Sequence, residues 1–273
     1  MSFTQFKCLI FLVGLGSSCF CVGESKSKWI SLSPQVTELF FQLGLQENLG
    51  ATTSGSHYPE AAKELKIIGQ WLQPNLETIL FNHPIGVVWD ENSFQSPLEK
   101  QFHQLGIETL LIPLNSVQGL FDSSRILLKK FQQPENHPTL LRAEKSLKEN
   151  ALASQTFTFL ALAWMDPPIL FGKNTFFYDL ITRVGGEGVL PSGWNSPFLK
   201  VSEEWLMAQS PQRVVFLSHN KRSTQLLKEK CLKWWPTKKD LCQSLPAEKF
   251  ARASFTPIVH ISELAKIRDR RDE

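Results

Sequence analysis

The spacing of apolar and polar residues changes period within residues 30–43. Ile30 and Leu32 alternate with Ser31 and Ser33, the period of a short strand. Val36, Leu39, Phe40 and Leu43 then fall at i, i+3, i+4 and i+7, which places them on one face of a helix. Ser33 suits the N-cap. Pro34 suits the first helical position, where its missing N–H has no partner to lose. Glu38 stands one turn in, where the helix dipole favours a carboxylate, and Gly44 supplies a stop. In open α/β sheets ligands bind at such strand-to-helix turns. The same pattern also serves as plain topology with no ligand.

Further along, the two periods keep alternating. A weak strand over residues 48–52, a loop over 54–59 and a short helix from Pro59 to Leu65 are expected. Asn75 caps a helix reaching Leu80. Residues 85–89 read as a buried strand with β-branched Val87 and Val88, followed by the polar turn Asp90-Glu91-Asn92-Ser93. A helix over 96–105, stopped by Gly106, and a strand over 108–112 complete the first unit. Residues 116–154 read as helical, with Lys and Glu on an exposed face. Alternation then resumes: a strand over 156–163, a Pro-rich loop over 164–171, a helix over 175–184 broken by Gly185-Gly186, a loop over 190–197 holding Trp194, a helix capped by Ser202, and a strand over 213–217. The organisation is a signal segment (1–23), an N-terminal α/β lobe (24–115), a bridging helical segment (116–154) and a C-terminal α/β lobe (155–273).

Composition sharpens this picture in four places. The first residues carry one charge, Lys7, before an apolar core over 8–13 and small residues to Ser18, the pattern of a secretory signal cleaved between Ser18 and Gly23. Cys19 or Cys21 offers a lipid-attachment alternative, but Gly16 stands where leucine is expected and Leu15 lies one place too early. No other stretch is apolar for long enough to form a transmembrane helix, so a soluble exported protein is expected. The net charge of +3 is too weak to indicate nucleic acid, and the late basic residues Lys228, Lys230, Lys233, Lys238, Lys239, Arg268, Arg270 and Arg271 read as a solvated face and a tail. The eight tryptophans are many for 273 residues, and several stand beside turn residues, where ligand contact competes with ordinary packing. Cys231 and Cys242, the only cysteines after the signal segment, are expected to pair in an oxidising compartment and close the loop around Trp234-Trp235-Pro236; two buried free thiols are the alternative.

Chemistry-bearing motifs are sparse. The six histidines are scattered, and His57 and His219 alone are candidates to face one cleft, so no metal is expected. Ser33 lacks the glycines of a nucleophile elbow, and no phosphate loop is present, so an enzyme is not expected.

Four segments in order resemble substrate-binding proteins of the cobalamin and iron–siderophore class, the partners of ABC importers. SLSPQVTELFFQLGL at 31–45 is similar to the family's opening S-x-x-P-x-x-T-E segment. SHYPEAAKELKIIG and NLETIL over 56–80 resemble its S-x-Y-P…G…N-x-E-x-I run. HPIGVVW resembles its K-P-D-L-V strand, with Gly86 in place of Asp, and FGKNTFFYDLITRVGGEGVL resembles a second-lobe segment ending in G-G. The C-terminal third matches poorly.

This resemblance implies two Rossmann-like α/β lobes bridged by a long helix, with a ligand cleft between them and little closing motion. It implies a corrinoid or an iron chelate as cargo rather than cofactor, an ABC permease in the inner membrane as partner, a monomer, and a periplasmic location, or the outer face of the membrane for a lipid-anchored form. Cleft-facing turns offer Pro34, Gln35, Tyr58, Trp71, Trp89, Trp194, Phe250 and Arg252, with Tyr58 and Trp89 at positions where a cobalamin binder holds its ligand. Aromatic residues outnumber cations there, which favours a corrinoid, with haem, a ferric siderophore and a non-transport interaction module as alternatives. Permease docking falls to Glu91 or Glu99 in the first lobe. In the second lobe the expected carboxylate position is Ala251, leaving Glu248 as the substitute.

Overall fold

The computed structural model describes residues 28–150, 156–238 and 240–269. The signal segment, Lys239, Arg270 and Arg271 lie outside the described residues. No described helix is long and apolar enough to cross a membrane.

The first lobe contains β1 (Trp29–Ser31), α1 (Pro34–Gln42), β2 (Leu49–Thr52), β3 (Lys66–Ile67), the small hairpin β4 (Gly69–Gln70) and β5 (Gln73–Pro74), α2 (Leu76–Phe81), β6 (Gly86–Asp90), α3 (Ser96–Gln104) and β7 (Glu108–Ile112). Five of its strands form a parallel sheet in the order β3-β2-β1-β6-β7. Pro34 opens α1 as expected, and Gly44, at φ +66°, ends it in the left-handed conformation that a Cβ disfavours. Strand alternation sorts β1 and β6 onto two faces. Ile30, Val87 and Trp89 pack toward Phe102 of α3 and Ile79 of α2, while Trp29 and Val88 pack on the opposite side against Val36 and Phe40 of α1.

Gly86, the departure from the resembling strand pattern, is explained by this packing. A Cβ there would lie 2.8 Å from the Trp29 ring and 2.8 Å from the Glu108 carbonyl oxygen. The indole of Trp29 occupies the space a side chain would take. Gly86→Ala is expected to lower stability by about 1–3 kcal/mol through overpacking, read as a shifted urea midpoint with an unchanged slope; an unshifted midpoint would remove Trp29 as the reason for the glycine.

Two connector helices follow, α4 (Val117–Lys130) and α5 (Pro138–Asn150). The N-terminus of α4 is tied to the second lobe where the Val117 N–H donates to Asp179. The second lobe holds β8 (Phe157–Met165), β9 (Pro168–Phe171), α6 (Phe176–Arg183), β10 (Gly186–Gly188), β11 (Phe198–Lys200), α7 (Glu203–Met207), β12 (Arg213–Ser218), α8 (Lys221–Trp234), β13 (Cys242–Pro246), α9 (Ala247–Phe250), α10 (Phe255–Val259) and α11 (Ile261–Asp269). Its sheet runs β11-β9-β8-β12-β13, with β10 beside the start of β8. α10 and α11 fold back onto α5. One buried cluster extends from Trp29 and Phe40 through Leu120 and Leu127 to Tyr178, Phe250 and Ile258, so the lobes share a core through the connector.

Three expectations are corrected. Residues 168–171, expected as loop, form β9, antiparallel to β8; Pro168 sits at the strand's first position, where its missing N–H is tolerated. Ser33 stands at the N-cap of α1, but its hydroxyl donates to the Asp90 carboxylate instead of capping the helix. Lys230 and Lys233 are not simply solvated: both pair with Glu203. Cys231 and Cys242 form the expected disulfide, joining α8 to β13.

Candidate functional site

The parallel strands of the first lobe point their carboxyl ends at a cavity of about 340 Å³ between the lobes, near the lower end of the ~300–1,000 Å³ typical of small-ligand clefts. From the first lobe come Gln35, after β1; Trp71 and Leu72, the turn of the β4–β5 hairpin; Asn92, after β6; and Leu114 and Asn115, after β7. From the second lobe come Phe171 at the end of β9, residues 174–177 entering α6, Phe198 opening β11, and Phe250 at the end of α9 with residues 251–253 after it. The wall is therefore aromatic and aliphatic, rimmed by the amides of Gln35, Asn92, Asn115 and Asn174. Arg252 is its only charged lining residue among the described residues.

A network of buried hydroxyls supports the first-lobe side. Thr37 Oγ1 lies 2.9 Å from Ser31 Oγ and 2.6 Å from Thr52 Oγ1, which in turn lies 2.8 Å from Ser56 Oγ. Ser33 Oγ lies 2.9 Å from the Gln35 side chain. The fully buried Asp90 carboxylate also accepts the N–H groups of Asn92 and Ser93, each at 2.9 Å. Gln35 and Asn92 thus stand on hydrogen-bonded backbone and side chains, which limits their reorientation.

Of the residues expected at the site, Gln35, Trp71, Phe250 and Arg252 line the cavity. Phe250 is buried and forms floor rather than open wall. Tyr58 lies outside the lining, 45% exposed, but its ring stacks 4.8 Å from the Arg252 guanidinium carbon. Trp194 is partly exposed on the neighbouring loop, outside the lining. Pro34 is buried at the start of α1 and does not reach the cavity.

Trp89 is a correction. It is 0% exposed and packs edge-on against Phe94 at 5.1 Å and near Phe102 at 5.9 Å. Strand alternation turns it onto the core face of β6, and the cavity-facing turn begins only after Asp90.

The docking candidates lie away from the cavity lining. Glu91 is exposed on the turn after β6; partial burial, then the Asp90 charge, push its carboxyl above the usual range. Glu99 on α3 lies 4.0 Å from His103 Nε2. Glu248 is exposed beside Ser218 and His219, whereas Ala251 belongs to the cavity wall. His57 and His219 are exposed and share no cavity, and no cluster of three or more metal-ligating side chains occurs among the described residues.

Sequence reasoning missed Asn92, Asn115, Phe171, Asn174 and Phe198. Asn92 carried a usable signal, since it sits in the polar turn directly after a buried strand. Glu38 was also missed in its true role. Its carboxylate is buried and pairs with Arg252, and its Oε1 accepts Ser254 Oγ at 2.6 Å and Thr256 Oγ1 at 2.9 Å.

The family described as periplasmic binding protein matches residues 30–233. A vitamin B12-binding protein from Salmonella typhi is 29% identical over 192 residues, covering 68% of this chain and 70% of that protein. Among solved structures, the periplasmic vitamin B12 binding protein BtuF of Vibrio cholerae superposes with a TM-score of 0.76 at 19% identity, covering 88% of this chain and 96% of that one. The periplasmic heme-binding protein RhuT from Roseiflexus sp. RS-1 gives a TM-score of 0.74 at 20% identity, covering 88% and 97%. These relatives are named for ligands they bind, not for a reaction.

Proposed function

The chain belongs to the periplasmic binding protein family, and from that premise we propose that it captures a corrinoid between its lobes and delivers it to an ABC permease in the inner membrane. The observation that carries the ligand is the make-up of the cavity wall. Aromatic side chains at Trp71, Phe171 and Phe198 line it together with the amides of Gln35, Asn92, Asn115 and Asn174. A corrin presents a broad apolar face and an edge of amides, which such a wall matches. Haem iron is held by His, Cys, Met or Tyr, and no such residue lines the cavity among the described residues. An anionic siderophore wants uncommitted cations, and Arg252 is already paired. Family membership and the signal-like first segment support a periplasmic location.

The test is tryptophan fluorescence of the full chain titrated with cyanocobalamin, with haemin and a ferric siderophore run beside it and absorbance corrected. Saturable quenching by the corrinoid alone is expected. Trp71→Ala should weaken that binding by about 2 kcal/mol, roughly thirtyfold, with thermal stability nearly unchanged because the ring is 38% exposed. Saturation by haemin or the siderophore instead would overturn the ligand, and no saturation with any of them would favour a non-transport interaction module.

A further inference from the structure

Arg252 is positioned by a residue that does not line the cavity. Its Nε donates to Oε2 of Glu38, 214 positions away in sequence, and its Nη2 donates to the Glu248 carbonyl at 3.0 Å. The Tyr58 ring covers the guanidinium. The remaining carboxylate oxygen of Glu38 accepts Ser254 Oγ, Thr256 Oγ1 and, at 2.9 Å, Gln42 Nε2. The Glu38 side chain is 0% exposed and that of Arg252 25%. A carboxylate in contact with a guanidinium at such a site cancels most of its field. An anion entering the cavity therefore meets a nearly neutral pair. To use Arg252 it would have to separate the pair and leave Glu38 buried without its counter-charge.

We infer that Glu38 is a specificity-determining positioning residue: by holding and neutralising Arg252 it makes the cleft select a neutral, amide-bearing ligand and reject anionic chelates. This rests on the reading of the cleft as a carrier's binding site. Released from Glu38, the Arg252 fork would be an anion receptor facing an aromatic wall.

The experiment titrates the full chain, unmodified and as Glu38→Gln, with a trianionic ferric tris-catecholate and with cyanocobalamin. Glu38→Gln is expected to gain about tenfold or more in affinity for the catecholate, and the Glu38→Gln/Arg252→Gln double variant to lose that gain. A folded Glu38→Gln without a gain overturns the inference, as does a gain that persists in the double variant. If Glu38→Gln does not fold, the unmodified chain decides. Its affinity for the catecholate should change by less than about threefold from low to high salt, and a steeper fall would show an uncommitted cation and overturn the inference. The two readings fail separately: no cobalamin binding beside a gain for the anion overturns the corrinoid assignment alone, and cobalamin binding without the gain overturns this inference alone.

Discussion

Glu38→Ala is expected to destabilise the chain by about 3–5 kcal/mol, because it breaks a largely buried ion pair from one side. The Arg252 guanidinium would lose its carboxylate. The hydroxyls of Ser254 and Thr256 would lose their shared acceptor, and Ser254 is fully buried. The loss falls at a junction of lobes, where α1 of the first meets the segment leading into α10. The Phe255 N–H donates to Gln42 and the Thr139 hydroxyl to the Gln42 carbonyl, so the same helix also holds the start of α5. For a chain of this size the change corresponds to a fall in melting temperature of roughly 6–20 °C. Glu38→Gln keeps one acceptor oxygen for Ser254 and Thr256 and should lose about half as much. Urea unfolding of the three proteins checks this. A shift of less than about 1 kcal/mol for Glu38→Ala would mean that the pair is replaceable by solvent and that the lobes are held by the apolar core alone.

Local pattern carried the elements well and the site only in part. The β1–α1 unit was legible because its signals are all within reach of each other: Pro34 at the first helical position, the Val36-Leu39-Phe40-Leu43 face, Gly44 in the left-handed conformation. The disulfide was legible from compartment and count. β9 was not, since two prolines at 167 and 168 read as loop, whereas a proline at a strand's first position is compatible with the ladder. Phe171 and Phe198 were hidden among twenty phenylalanines, with nothing local to separate a cavity wall from a core. Glu38 and Arg252 could not be joined at all from sequence, because their pairing depends on how the C-terminal segment folds back over the first lobe. Where the ligand class is decided by such a long-range pair, a count of aromatic and cationic residues overestimates the available charge.

Trp89→Ala and Trp71→Ala should fail in opposite ways, and the contrast tests the assignment of floor, wall and core. Trp89 is fully buried between Phe94 and Phe102, in the cluster with Ile30, Val87 and Ile79. Truncating it removes a large apolar side chain and leaves a cavity the sheet cannot close, an expected loss of about 3–5 kcal/mol. Its indole N–H has no hydrogen-bond partner among the described residues, so removing that polar atom offsets a small part of the loss. Trp89→Phe, which keeps most of the ring and drops the N–H, should recover more than half of it. Trp71 sits at the tip of the β4–β5 turn, with few buried contacts to lose, and its truncation should cost less than about 1 kcal/mol of stability while removing an aromatic face from the cavity. Urea midpoints paired with corrinoid titration separate the two. A Trp89→Ala protein with an unshifted midpoint and lost binding would return Trp89 to the cleft, and would require β6 to shift by one residue, which would also turn Val87 from the Phe102 side of the sheet to the Val36 side.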